Sequence, residues 1–306
     1  MNVKDFTLNT SLNQQTLLIK QADEKETKNH KAYLKMILCD STGEISGNLW
    51  DTNATEELSA GHIIIVDGKI TSYQDQLQIK FEKVIPSTST DYQALLPTAP
   101  ENYDQLKNEL MTYYSQIDNP VYKLIVKTLL KKHEREFLTY PAAKSVHHNF
   151  YHGLLFHTVS MLRQITSYTN QYPQLNRELM YSAAIIHDMG KTIELSGILN
   201  TEYTTTGKLL GHISIIDGEI NRIAQSANIP ENNQNLLLLR HMVLSHHGLL
   251  EYGSPVEPQL LEAKVLHLID ESDANINTIT NQLNQTNSNE WTSKIWSQNN
   301  HQFLKI

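Results

Sequence analysis

The stretch Leu179-Met180-Tyr181-Ser182-Ala183-Ala184-Ile185-Ile186 runs directly into His187-Asp188-Met189-Gly190-Lys191. The first part reads as a buried apolar helix, and the second closes it with an imidazole, a carboxylate and an ammonium. Burying a His-Asp pair at a helix end is costly without a strong compensating partner, and a metal ion is the commonest one. On a helix, Lys191 falls four residues after His187 and three after Asp188, so the three side chains can share a face. Gly190 is expected to let the backbone turn sharply where the helix ends.

Working outward, further ligand-type residues occupy similar positions. Eleven of the fourteen histidines lie between His133 and His267. His152 and His157 flank the start of a helix predicted over 153–169. His212 follows Gly211 near the start of one over 208–227. His246 and His247 end the run from Leu236 to Ser245, and Asp270 closes Val265-Leu266-His267-Leu268-Ile269. Taken singly, a histidine on an apolar face is more often structural than a ligand. Taken together, five separate segments each deliver His or Asp at a helix terminus or apolar boundary. Mixed imidazole and carboxylate donors suit Mn²⁺, Fe, Co²⁺, Ni²⁺ or Zn²⁺, and a single cysteine argues against a structural thiolate zinc site.

The bulk of the chain sets limits. Its 306 residues suffice for two domains with a substantial core. A formal net charge of −8 excludes a protein that holds nucleic acid by bulk electrostatics. The single cysteine, Cys39, cannot form an intrachain disulfide, which suits a reducing compartment. Met1 to Phe6 lacks the apolar core of a signal peptide, and no apolar run is long enough to span a membrane. A soluble, cytoplasmic protein is expected.

The organisation is multidomain, with β structure first and helices after it. Leu17–Lys20, Tyr33–Asp40, Ile45–Trp50, His62–Lys69 and Leu77–Phe81 read as strands, with Ser41–Glu44 as a hairpin turn. The polar run from Gln21 to Asn29 reads as an exposed loop. Five short strands fit a small closed barrel of the oligonucleotide-binding kind, the OB-fold. Pro86 to Pro100 is rich in Ser, Thr and Pro and reads as a linker. Helices are predicted over 103–117, 121–136, 153–169, 176–189, 208–227, 232–246 and 259–280. The tail is rich in Asn, Gln, Ser and Thr but holds Trp291 and Trp296, which are expected to dock it.

The order His157, His187-Asp188, His212, His246-His247, Asp270 resembles the HD superfamily of metal-dependent phosphohydrolases. Tyr151 to Thr158, Gly207 to Ile213, Leu244 to Gly248, Glu251 to Pro255 and Glu262 to Lys264 narrow the resemblance to the YhaM-type 3′→5′ exoribonucleases. Asp40 to Ile45 with Leu49 to Asp51 resembles the barrel that precedes the HD domain there, so the likeness covers about 270 residues. It implies an OB-fold over 1–90, a linker and connecting helices over 91–140, an all-α HD domain over 141–285 and a tail over 286–306. It further implies that His157, His187, Asp188 and Asp270 hold a first divalent metal. His212 and one or both of His246 and His247 would hold a second, with Asp188 bridging. Lys191 matches the position that contacts substrate phosphate or the attacking water. His152 would orient a neighbour or touch phosphate. Asp273 reads as a supporting or surface charge rather than a ligand.

Two ions roughly 3.5–4 Å apart would activate water and stabilise both the attacking and leaving oxygens of a phosphodiester. The resemblance points to Mn²⁺, to single-stranded RNA as substrate with DNA as a second candidate, and to nucleoside 5′-monophosphates as products. In the barrel, Lys31, Tyr33, Trp50, Lys69, Lys80 and Phe81 are candidates for a strand-binding groove, with Trp50 and Phe81 equally readable as core. Two rival functions remain at this level. One is a phosphohydrolase of nucleotides or cyclic dinucleotides, which would not need a strand-binding barrel. The other is a non-catalytic single-strand-binding protein, which would have no reason to keep repelling charges buried. A homo-oligomer would join weak barrels into one multivalent surface.

Overall fold

The computed structural model describes residues 1–306 except 28, 75, 90, 91, 93, 144–147, 198 and 200. The chain divides into two compact units, Met1–Thr98 with 198–201, and Ala99–Gly197 with Glu202–Ile306.

In the first unit, β1 (Ser11–Glu26), β2 (Ala32–Asp40), β3 (Gly43–Trp50), β4 (Ile63–Tyr73) and β5 (Gln76–Pro86) form a closed barrel in the order β1-β2-β3-β5-β4. β1 pairs antiparallel with both β2 and β4, and a short parallel contact between β3 and β5 completes the ring. Leu34, Met36 and Leu38 alternate inward from β2 and pack with Leu17, Ile19, Val66, Ile70 and Ile79. Asp40 fixes the β2–β3 turn, accepting from Thr42 N at 2.7 Å through one oxygen and from Val3 N at 2.7 Å through the other. The polar run expected as a loop is instead strand as far as Glu26. Asp23 and Lys25 stand opposite Lys35 and Tyr33 across the β1–β2 ladder. Ladder hydrogen bonds hold this segment extended while its side chains stay largely solvated, so the alternation that marks a half-buried strand is missing.

The second unit is helical: α1 (Tyr103–Ser115), α2 (Pro120–Lys132), α3 (Glu134–Thr139), α4 (Gly153–Gln171), α5 (Arg177–Ile186), α6 (Lys191–Glu194), α7 (Thr205–Ser226), α8 (Gln234–Leu244) and α9 (Leu261–Asn284). Asn102, Asn119, Asn176 and Asn233 cap α1, α2, α5 and α8, each side chain accepting from a first-turn backbone N–H. The helix expected over 121–136 breaks at His133, whose ring bonds Glu219 at 2.7 Å and Thr192 at 3.2 Å.

Every residue of α5 from Leu179 to Ile186 is buried. A helix apolar all round belongs at the centre of a core. Here it packs among α4, α8 and α9 in one cluster that includes Leu155, Leu162, Met242, Leu266 and Ile269. Truncating one of these large side chains to Ala would cost about 2–5 kcal/mol. That rigidity fixes the residues at its C-terminal end, His187 and Asp188.

The tail docks, but not through its tryptophans. Thr292 and Ile295 are buried, whereas Trp291 and Trp296 are 63% and 75% exposed. Among the described residues, no helix is long and apolar enough to cross a membrane.

Candidate metal centre

Seven predicted ligands, carried by separate turns of the helical unit, converge. His157 lies in the first turns of α4, His187 and Asp188 follow α5, and Lys191 opens α6. His246 and His247 follow α8, and Asp270 lies on α9. His212 sits just past a kink in α7 at Gly211, where φ is +70° and ψ 152°. Only glycine adopts that backbone cheaply, so the kink that aims His212 depends on it. Gly190 has a different role from the expected one. Its backbone is ordinary right-handed helix (φ −60°), but a Cβ there would stand 2.1 Å from the His212 carbonyl oxygen. Gly190 is needed for close approach, which brings α7 against the His187-Asp188 turn.

Asp188 sits at the centre. Its Oδ2 lies 3.4 Å from His187 Nε2 and 3.8 Å from His157 Nε2. Its Oδ1 lies 3.5 Å from His212 Nε2 and 3.8 Å from His246 Nε2. Donor atoms of His157, His187 and Asp270 form one set within 4.8 Å of each other, and those of Asp188, His212, His246 and His247 form another. Lys191 Nζ bonds Asp188 Oδ2 at 2.6 Å.

The imidazoles are oriented from behind. Nδ1 of His187, His246 and His247 meets the carbonyls of Ala184, Val243 and Tyr252 at 2.9, 2.7 and 2.8 Å. His157 Nδ1 meets Asp273 Oδ2 at 2.7 Å, and His212 Nδ1 meets Glu194 at 3.1 Å. Carbonyls and carboxylates only accept, so each Nδ1 carries the proton and Nε2 is left to face the centre. Supporting oxygens of this kind also make the ring a better ligand.

The electrostatics of the centre suit a bound cation. Burial drives His246 well below the ordinary imidazole value, and burial likewise lowers His247, so both are neutral and able to ligate. Burial opposes ionisation of Asp188, yet Lys191 and His187 hold its carboxyl well below the usual range. Burial also opposes charge on His157, but hydrogen bonds to Asp270 and Asp273 push it up to about 10. That proton is the kind a bound metal displaces.

The residues fit a divalent ion on their own terms. His187 Nε2, Asp188 Oδ1, His212 Nε2 and His246 Nε2 are buried and have no hydrogen-bond partner. Each unsatisfied group costs about 1–3 kcal/mol, which ligation would recover. A cavity of about 520 Å³ reaches the centre, lined by Lys191, His212, His247 and Asp270 among others, a size within the range of small-ligand sites.

The HD domain model matches residues 154–275, which include all seven of these ligand-type residues. A protein of Geobacillus sp. (strain WCH70) named 3′-5′ exoribonuclease YhaM is 40% identical over 294 residues, 94% of this chain and 90% of its own. Proteins of the same name from Listeria innocua and Shouchella clausii are 38% and 40% identical over 94% of this chain, covering 93% and 92% of theirs. The chain belongs to the YhaM family.

Other expected residues of this YhaM-family chain lie elsewhere. His152 is the left-handed N-cap of α4 and bonds the Leu138 carbonyl, with its ring beside Tyr103 and Tyr151; it belongs to neither ligand set. In the barrel, Tyr33 and Trp50 are directly opposite on β2 and β3, their rings 4.7 Å apart, and Trp50 is 57% exposed rather than core. Lys69 and Lys80 face each other across β4 and β5, and Lys31 pairs with Asp51 at 3.2 Å. Phe81 packs half-buried against the barrel interior, so it is not brought together with Lys80.

Two residues escaped the sequence reading, Glu194 and His148, while Asp273, expected as a supporting or surface charge, stands behind His157. Glu194 backs His212, and Asp273 and His148 form a buried pair at 2.8 Å behind His157. His148 lies in a segment with no helical period, and α6, which carries Glu194, is a single turn. The one available signal was Asp273, a full turn beyond Asp270 and so on the same face.

Proposed function

We propose that this chain is a metal-dependent exoribonuclease that degrades single-stranded RNA from the 3′ end to nucleoside 5′-monophosphates. The observation that carries the reading is Asp188, whose two oxygens face two different ligand sets. The YhaM relationship supplies the polarity and the substrate class. We assign His157, His187, Asp188 and Asp270 to one ion, and Asp188, His212, His246 and His247 to another. Mn²⁺ is our choice, with Co²⁺, Fe, Ni²⁺ and Zn²⁺ also suited to such donors. When bound, the ions supply Lewis acidity and a water of lowered pKa.

The protein's own part is positional and electrostatic. Asp188 holds the two ligand sets together, and the carbonyls and carboxylates behind the five histidines fix the Nδ1–H of each ring. Lys191 remains charged because Asp188 outweighs the effect of burial. Its ammonium is placed to offset charge developing on nonbridging phosphate oxygens. The 1–90 barrel would hold the strand, with Tyr33 and Trp50 stacking bases and Lys31, Lys69 and Lys80 meeting phosphates. The HD domain over 141–285 would do the chemistry, joined by 91–140 and followed by the 286–306 tail. We extend the substrate range to single-stranded DNA, the location to the cytoplasm and the assembly to a homo-oligomer.

The test is a 5′-labelled single-stranded RNA incubated with Mn²⁺, with chelator, and with Asp188→Ala protein plus Mn²⁺. A ladder shortening from the 3′ end in the first sample alone is expected. RNA bound but uncut, or uncut while mononucleotide esters are hydrolysed, would overturn the reading.

A further inference from the structure

We propose that Trp296 is a base-stacking residue for the 3′-terminal segment of the strand, a role that rests on the exoribonuclease reading above. Trp296 lines the same cavity as Lys191, His212 and Asp270. It is nevertheless 75% exposed, and an indole left open in the wall of this cavity is what invites a reason. Docking the tail is not that reason. Thr292 and Ile295 are the buried anchors, at 1% and 6% exposure, and backbone bridges join Trp291 to Leu304 and Ile295 to His301.

The turn that carries Trp296 is fixed without help from its ring. Gln298 Nε2 donates to Asn275 Oδ1 at 2.6 Å, and Asn300 N donates to the Ile295 carbonyl at 2.9 Å. Asn275 lies on α9, five residues beyond Asp270, or about 7.5 Å along the helix axis. The turn that carries Trp296 is thereby tied to α9 near Asp270, and its indole lines the cavity that reaches the metal centre. The backbone of that turn is held in advance, so only the indole's own rotamer has to be fixed when a base arrives.

The chemistry of the cavity explains why stacking is needed. Lys191 is the one lysine or arginine among its described lining residues, against Glu194, Asp270 and Glu271. The proposed ions would hold the scissile phosphate, but beyond them the wall offers the strand's other phosphates no second cationic side chain among its described lining residues. Base–aromatic stacking does not depend on charge and accepts every base, which suits an enzyme that must degrade any sequence. Tyr203 and Tyr252, 44% and 57% exposed, line the same cavity and extend its aromatic surface.

The experiment crosses Trp296→Ala with removal of the base. Full-length wild-type and variant proteins with Mn²⁺ are given RNA with an ordinary 3′ end, or RNA whose last two 3′ nucleotides are abasic. On ordinary RNA, Trp296→Ala should raise KM about tenfold with kcat little changed, and Trp296→Phe should recover most of the loss. On abasic-ended RNA, wild type and Trp296→Ala should agree within about twofold. Equal penalties on both substrates, or none on either, would overturn the proposal while leaving the nuclease reading intact. Wild-type protein that cuts neither RNA would overturn the nuclease reading itself. A second readout uses Trp50→Phe/Trp291→Phe protein, in which Trp296 is the sole tryptophan. Saturable quenching by a phosphorothioate oligoadenylate supports stacking, and unchanged emission on binding contradicts it.

Discussion

Asp273 Oδ2 accepts the Nδ1–H of His157 at 2.7 Å. The same carboxylate takes His148 Nε2 at 2.8 Å, Gln164 Nε2 at 3.3 Å and the Ser160 hydroxyl, so four donors converge on it. Burial opposes its charge, but His148 and His157 hold its carboxyl well below the usual range. A carboxylate can satisfy all four donors, whereas the amide nitrogen of an asparagine accepts nothing. Asp273→Asn should therefore loosen His157 and weaken Mn²⁺ binding about 10- to 100-fold, with activity partly regained at high Mn²⁺. Calorimetric and kinetic Mn²⁺ titrations would check this; an unchanged half-saturation would show that Asp273 only packs.

Lys191 should behave in the opposite way. Its ammonium occupies Asp188 Oδ2, an oxygen that the proposed ions also require. Lys191→Met should lower kcat about 10²- to 10³-fold, the usual result of losing a buried donor to developing charge. Mn²⁺ affinity should hold or improve, because a competing cation has been removed. Parallel loss of affinity and kcat would make Lys191 part of the scaffold instead.

The candidate ligand residues that the structure brings together were legible because a polar group ending an apolar run stands out from the helical period. His187-Asp188 after α5, His246-His247 after α8 and Asp270 on α9 all carry that mark. Their supports do not. Glu194 and His148 come from a one-turn helix and an aperiodic segment, and tertiary approach alone puts them behind His212 and His157. Gly190 was visible, but its reason was not: a close carbonyl from α7 leaves no local trace. Trp296 shows the opposite limit. Its size implied burial, yet Thr292 and Ile295 dock the tail. In the barrel, the wet end of β1 was lost for lack of alternation, while the number of strands was readable from their turns.

Gly190 gives a stability prediction with a functional arm. The Cβ of Gly190→Ala would meet backbone, not a flexible side-chain end. α7 must shift, at a cost of about 1–3 kcal/mol. His212 moves with it, so the second ligand set should lose its ion before the first. Two-step Mn²⁺ binding in the parent that becomes one-step in the variant, alongside a lower Tm, is the expected result.

Trp50 can be tested without threat to the fold, because its ring is exposed on the outer barrel face beside Tyr33. Trp50→Ala should weaken binding of a single-stranded oligonucleotide by about 1–3 kcal/mol and leave the hydrolysis of a mononucleotide ester unchanged. Fluorescence anisotropy supplies the first number and a chromogenic ester the second. Unaltered oligonucleotide affinity would remove the Tyr33–Trp50 pair from the binding surface.

A last prediction concerns acid stability away from the metals. Arg163 on α4 donates Nε and a terminal nitrogen to Glu109 at 2.8 and 2.7 Å, and its terminal nitrogens to Glu101 at 2.7 and 2.6 Å. Its hydrogen bonds hold both carboxyls below their ordinary value, against the opposing effect of burial. A carboxylate depressed in the folded state adds stability above its unfolded value, near pH 4.3, and loses it as pH falls through the folded value. The Arg163 side chain is 35% exposed, so solvent screens the pairs and the contribution is about 1 kcal/mol. Arg163→Met should therefore be less stable than wild type at neutral pH, and the two denaturation midpoints should converge as pH drops below about 4. A gap that stays constant from neutral to acid would assign the loss to packing of the arginine stem rather than to charge.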